Sequence, residues 1–200
     1  MKFKDKKVIG ITGGIGTGKT TVLNIFKTEF NADIIEADKI GHLILEPGTI
    51  GYQNVIDTFG EGILDMKSKE PVKPIDRKKL GQVVFNSEKE LEKLNSITHP
   101  LIHAKIEDII NKSINKLIII EAAILITTSL KELCDEIWFI HANIDTRIQR
   151  LSEGRGISKE KAMLVMNNQP DDSDYNKECN VIIDNSYTVD NTLLQIKQHI

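Results

Sequence analysis

Apolar residues fall along this chain in two alternating patterns. Short runs rich in β-branched residues recur at 8–12, 32–37, 117–122, 136–140 and 180–183. Most are continuous rather than alternating, as expected of parallel strands covered on both faces. Between them lie segments of helical period, among them 20–30, 87–111 and 145–151. Strand–helix alternation of this kind predicts βαβ units and a doubly wound α/β sheet.

One stretch breaks the alternation. From Lys39 to Asn115 no core strand is evident, and Pro47-Gly48, Gly60-Glu61-Gly62 and the prolines at 71 and 74 divide it into short helices and loops. It reads as an inserted, mostly helical substrate domain. A second helical excursion, 145–168, carries Arg147, Arg150 and Arg155 and reads as a lid. The expected organisation is therefore a nucleotide-binding core of 1–38, 116–144 and 169–200, an acceptor-binding insertion of 39–115, and a lid of 145–168.

Composition adds exclusions more than identity. At 200 residues, with 40% hydrophobic and 28% charged residues, the chain suits one domain, with or without an insertion. A formal charge of −3 argues against a general nucleic-acid binder. The basic N-terminus runs into glycines rather than a secretory apolar region, and the apolar run at 117–126 is interrupted by Glu121. A soluble cytoplasmic protein without membrane partners is expected. Cys134 and Cys179, the only cysteines, read as reduced thiols, and no Cys/His spacing predicts a protein-built metal cage.

The chemistry starts at Gly13-Gly14-Ile15-Gly16-Thr17-Gly18-Lys19-Thr20, followed by Thr21. The pattern follows a predicted strand and opens a predicted helix, the context a phosphate-binding P-loop requires. Glycines let successive N–H groups converge on phosphate oxygens, and the helix N-terminus adds partial positive charge. Lys19 supplies a full charge for the β- and γ-phosphates of ATP, and the Thr20 hydroxyl suits Mg²⁺. A guanine-reading Asn-Lys-x-Asp is absent: Asn111-Lys112 and Asn115-Lys116 lack the aspartate. Asp57-Thr58-Phe59-Gly60 reads as a helix end capped by its glycine, not a GTPase switch.

A small-molecule kinase also needs a carboxylate near the acceptor hydroxyl and arginines that neutralise the transferring group. Asp38, expected at the end of the second strand, is the candidate for the first, with an N-cap of the helix 39–45 as its other role. Glu121, at the end of the third core strand, stands where P-loop proteins place a carboxylate that binds Mg²⁺ through water, or contacts the acceptor. Arg147, Arg150 and Arg155 suit the lid.

These residues together resemble the dephospho-CoA kinase family. The resemblance covers nearly the whole chain and runs in order through the P-loop at 11–21, Glu36-Ala37-Asp38, Glu46-Pro47-Gly48, Phe59-Gly60, Asp76-Arg77, His99-Pro100, Arg150, Gln169 and Ile183-Asp184-Asn185. It implies a P-loop nucleoside-kinase-like fold, a five-stranded parallel sheet flanked by helices, with a helical CoA-binding domain and a lid. It implies transfer of the ATP γ-phosphoryl to the ribose 3′-hydroxyl of dephospho-CoA, with Asp38, Lys19 and Arg150 catalytic. Gly14–Thr21 with Arg147, Arg155 and Asn185 would bind nucleotide, and Arg77, His99, Asp38 and Glu121 the acceptor. A monomer is expected, with a homo-oligomer the alternative. The chain departs from the family at 122–127, where a proline and a closing glutamate are replaced, and in the lid, where arginine positions are Gly154 and Val165, and at Tyr175 in place of a basic residue. A nucleoside monophosphate or nucleoside kinase and a catalytically silent nucleotide-binding module remain the competing readings.

Overall fold

The structure is a computed structural model and describes residues 2–200. Its elements run β1 (Lys7–Thr12), α1 (Lys19–Glu29), β2 (Asp33–Glu36), α2 (Ala37–Leu43), α3 (Ile50–Phe59), α4 (Arg77–Phe85), α5 (Glu88–Lys112), β3 (Leu117–Glu121), β4 (Glu136–His141), α6 (Ile144–Arg155), α7 (Lys159–Asn167), α8 (Asp172–Glu178), β5 (Val181–Asp184) and α9 (Val189–Lys197). The five strands form one sheet in the order β2-β3-β1-β4-β5. Pairings β1–β3, β1–β4 and β4–β5 are parallel.

The chain divides into two compact units. One comprises the chain to Ile35 together with Ile110–Ile200; the other is Glu36–Ile109. The first holds the sheet. Its strands are apolar without alternation because helices cover both faces: Ile9, Ile11, Ile119, Trp138 and Ile140 are buried to completion. They pack with Val22, Leu23, Ile25 and Phe26 of α1 and Ile196 of α9. Trp138 meets Phe26 edge-on at 5.5 Å between ring centroids, and its indole N–H donates to Glu136 Oε2 at 2.9 Å. Truncating either ring would cost about 3–5 kcal/mol, the usual scale for a large buried aromatic.

The second unit is helical. Tyr52, Val55, Ile63, Leu64, Ile75, Leu80 and Val84 form its core, and the Tyr52 hydroxyl donates to the Lys73 carbonyl. Thr49 caps α3, Asp76 caps α4, and Gly60 closes α3 with φ 76°, so Asp57-Thr58-Phe59-Gly60 is a helix end. The helix α5 runs straight through Pro100, which interrupts its hydrogen-bond ladder without ending it.

Three local expectations change. The strand β2 ends at Glu36, so Asp38 is not at a strand end but in the first turn of α2, where a carboxylate is favoured by the helix dipole; Glu36 takes the cap position. The excursion after β4 is two helices, split where Gly156 turns left-handed at φ 61° and Ser158 caps α7. A further helix, α8, follows it, started by a reciprocal capping box between Asp171 and Asp174.

Candidate active site

The segment 13–18 leaves the end of β1 and enters α1 with no side-chain cap on that helix. No side chain therefore covers that helix start, and the dipole favours an anion there. Glycine is required at both ends of the loop. Gly13 has φ 151°, and a Cβ on it would stand 2.6 Å from the Ile140 carbonyl oxygen. Gly18 has φ 85°, and a Cβ on it would overlap the Asn185 amide nitrogen.

Lys19, the first residue of α1, folds back over the loop. Its Nζ donates to the Gly13 carbonyl at 2.8 Å and lies 3.7 Å from Glu121 Oε1 at the end of β3. The pairing follows from the sheet: β1 and β3 are neighbours in parallel register, with Ile11 opposite Glu121. Both side chains are less than a fifth exposed. The Thr17 hydroxyl closes the loop internally on the Gly14 carbonyl at 2.9 Å.

Side chains from distant segments hold the loop from outside. Arg147 Nε donates to the Ile15 carbonyl at 2.9 Å, and the Gln169 Oε1 accepts from the Ile15 N–H at 2.8 Å. Burial lowers the Arg147 pKa from its ordinary value, against the opposing fields of Asp172 and Tyr175. Arg150 donates to the Thr17 carbonyl at 3.2 Å and to the Asn185 carbonyl at 2.8 Å. The Asn185 amide reaches Thr17 O at 2.8 Å and Gly18 O at 3.4 Å. A cavity of about 660 Å³ opens beside these groups, lined in part by His141, Asn143, Arg147, Met163, Met166 and Gln169. His141 Nδ1 pairs with Asp172 Oδ2 at 3.0 Å on its wall.

The structure thus brings Lys19, Glu121, Arg147, Arg150 and Asn185 together around residues 13–20. Arg155 it does not: it is the exposed last residue of α6 and makes no hydrogen bond or ion pair with the loop among the described residues. Asp38, Arg77 and His99 lie in the helical unit, on α2, α4 and α5. Asp38 and Arg77 are exposed and His99 is half-buried.

One of the chain's departures has a structural explanation. Within 122–127 a 3₁₀ turn forms at Leu125–Thr127 beside buried Ala122, Leu125 and Ile126, but the replaced positions, Ala123 and Thr127, are half-buried and exposed, and nothing in the structure explains them. Tyr175 is 2% exposed and stacks on Phe139 at 4.4 Å between centroids. An aromatic packs there where a charge would be stranded.

Sequence reasoning gave Gln169 no task and Thr192 no mention. The Thr192 hydroxyl donates to Asn185 Oδ1 at 2.8 Å. No local spacing signals either residue, since their partners lie far away in sequence or turn on a single hydroxyl.

A parallel sheet in this order with a phosphate loop on its central strand, a lysine on that loop and a carboxylate on the neighbouring strand defines the P-loop kinase class. The solved structure of TT1252 from Thermus thermophilus has the same fold, with a TM-score of 0.82 over 97% of this chain and 95% of its own at 19% identity. The dephospho-CoA kinase from Campylobacter jejuni aligns with a TM-score of 0.60 at 26% identity over 98% and 96% of the two chains. In sequence, the family model for dephospho-CoA kinase matches residues 7–191. The dephospho-CoA kinase of Carboxydothermus hydrogenoformans is 38% identical over 193 residues, 94% of this chain and 90% of the relative. The chain belongs to the dephospho-CoA kinase family.

Proposed function

We infer that this chain catalyses ATP-dependent phosphorylation of the ribose 3′-hydroxyl of dephospho-CoA, giving CoA and ADP in the last step of coenzyme A synthesis. The observation that carries the reading is Lys19 Nζ, poised over an uncapped helix start between the Gly13 carbonyl and Glu121. A triphosphate entering the loop offers Lys19 stronger acceptors than a neutral carbonyl, so Lys19 exchanges Gly13 for the β- and γ-phosphate oxygens. Residues 14–21 complete the cradle, with the Ile15 N–H engaged by Gln169 and the Thr21 N–H by the Gly18 carbonyl.

The reacting bond forms between the ribose 3′-oxygen and the γ-phosphorus as the bond to the β,γ-bridging oxygen breaks. The hydroxyl proton passes to Asp38, and the bridging oxygen leaves with ADP. Arg150 and Arg147 bring positive charge to the loop; Arg155 is assigned to the lid's approach to the triphosphate. Arg77 and His99 are assigned to the acceptor. Preorganised charge of this kind is the main catalytic resource in phosphoryl transfer.

The oxygen donors Thr20 and Glu121 fit Mg²⁺, a hard cation completed by phosphate oxygens and water. Bound there, Mg²⁺ would neutralise charge on the β- and γ-phosphates. No group of three His, Cys, Asp or Glu among the described residues forms a metal cage. No helix among the described residues is long and apolar enough to cross a membrane. A cytoplasmic monomer is proposed with it.

A coupled ADP-release assay with dephospho-CoA, AMP, CMP and shikimate tests the reading. Turnover is expected with dephospho-CoA. Turnover only with a monophosphate or shikimate would overturn the acceptor, and ATP binding without turnover on any acceptor would make the chain a nucleotide-binding module.

A further inference from the structure

We propose that Thr192 and Asn185 are positioning residues for the nucleotide: the Thr192 hydroxyl sets which way round the Asn185 amide sits, and that amide aims the loop's N–H groups at the phosphates. The proposal rests on reading 13–20 as the phosphate cradle. Asn185 follows β5 and Thr192 lies in the first turns of α9, at 1% and 0% exposure. Neither is open to a ligand, so both act through the loop.

A side-chain amide has two ends of nearly equal shape and opposite chemistry. Only the NH₂ end can meet the carbonyls of Thr17 and Gly18, which it reaches at 2.8 and 3.4 Å. Turned over, its oxygen would face two carbonyl oxygens in a buried place, with nothing to donate. The other end decides the matter. The Thr192 hydroxyl has one proton and two acceptors in reach, Asn185 Oδ1 at 2.8 Å and Thr188 O at 3.2 Å. Thr188 O already accepts the Thr192 backbone N–H, whereas Asn185 Oδ1 has no other donor among the described residues. The proton therefore goes to Asn185 and holds its oxygen away from the loop.

Holding a carbonyl aims the next N–H, because across a trans peptide the two point in opposite directions. The Thr17 carbonyl is gripped by the Asn185 amide and by Arg150 Nη1 at 3.2 Å, which turns the Gly18 N–H the other way. The Gly18 carbonyl, shared with the N–H groups of Thr21 and Val22, does the same for the Lys19 N–H. Asn185 is itself anchored: its N–H donates to the His141 carbonyl at 2.8 Å, and its own carbonyl takes Arg150. The grip is possible only because residue 18 has no Cβ.

The test compares KM for ATP and KM for dephospho-CoA in wild type, T192V, T192S and K19A, with thermal midpoints measured alongside. T192V keeps the volume and removes the proton. It is expected to raise the KM for ATP about tenfold, the scale of one buried hydrogen bond left unmade, with the KM for dephospho-CoA within about twofold. T192S, which keeps the hydroxyl, is expected to bring the ATP KM back to within about twofold of wild type. Should T192V fail to fold, T192A removes the same proton and is read identically. A role confined to stability would lower the thermal midpoint and the active fraction while leaving the ATP KM alone; that result, or equal ATP KM values in T192V and T192S, overturns the proposal. K19A with an unchanged ATP KM would remove the cradle reading and this proposal with it, whereas loss in K19A without loss in T192V removes only the proposal.

Discussion

Lys19 Nζ stands 3.7 Å from Glu121 Oε1, an ion pair between the first residue of α1 and the end of β3 with both side chains largely sheltered from water. With a triphosphate bound as proposed, Glu121 would lie within its field, where an uncompensated negative charge would repel the substrate unless a cation accompanied it.

The first prediction follows from that charge. Glu121→Gln preserves size and a hydrogen-bond acceptor for Lys19 but removes support for Mg²⁺. The expected result is a fall in kcat of about 10- to 100-fold and a several-fold rise in the Mg²⁺ concentration for half-maximal rate. Steady-state rates across a Mg²⁺ titration read both; an unchanged Mg²⁺ dependence would remove Glu121 from the metal's surroundings.

Asp38 is assigned the acceptor's proton. Asp38→Asn keeps the first turn of α2, since Glu36 and not Asp38 occupies its cap position. The rate is expected to fall by about two or more powers of ten, with the KM for ATP nearly unchanged, as befits a group that meets only the transition state. Single-turnover kinetics would check the chemical step directly, and a nearly wild-type rate would sink the role.

Gly18→Ala carries two penalties, a side chain at φ 85° and overlap with the Asn185 amide. The left-handed conformation alone costs about 1–2 kcal/mol for a residue with a Cβ. The variant is expected to unfold at lower denaturant and to bind ATP more weakly. Chemical denaturation together with calorimetric ATP titration would show both, and a variant equal to wild type in both would mean that the loop tolerates a Cβ where none fits in this geometry.

Alkaline stability depends on the two thiols. Burial pushes Cys134 up from 9.0 to about 12, with the field of Lys2 opposing and that of Asp135 adding, and pushes Cys179 up to about 11. Both are neutral when folded and ionise near 9 when unfolded. Their stabilisation is therefore complete below pH 9 and is lost as pH rises toward 11 and then 12. Cys134 steepens the decline by up to about 1.4 kcal/mol per pH unit, and the partly exposed Cys179 by less because solvent screens it. Denaturant midpoints from pH 8 to 11 in wild type and Cys134→Ala check this: the variant starts less stable, and its decline is shallower.

The sequence carried much of the core and the phosphate loop because both are written locally. Continuous β-branched runs of four to six residues bounded by turn residues favour strands covered on both faces, and Gly13 to Thr20 carries its glycines, lysine and threonine within eight positions. The same locality misplaced Asp38: a strand and the helix that follows it compete for residues 36–38, and the cap on Glu36 decided the boundary. It also left α8 unseen, since a seven-residue helix held by a capping box has no apolar period to betray it.

By itself, then, the amino-acid order determined the α/β alternation, the helical stretch between β2 and β3, the phosphate cradle and the family, each of which depends on neighbours in sequence or on an ordered series of motifs. Only the tertiary structure decided what holds the cradle in shape. Asn185 reaches Thr17 across 168 positions and Gln169 reaches Ile15 across 154. A hydrogen bond at such separation leaves no period or spacing in the chain; it exists because the parallel sheet sets the ends of β1, β4 and β5 side by side.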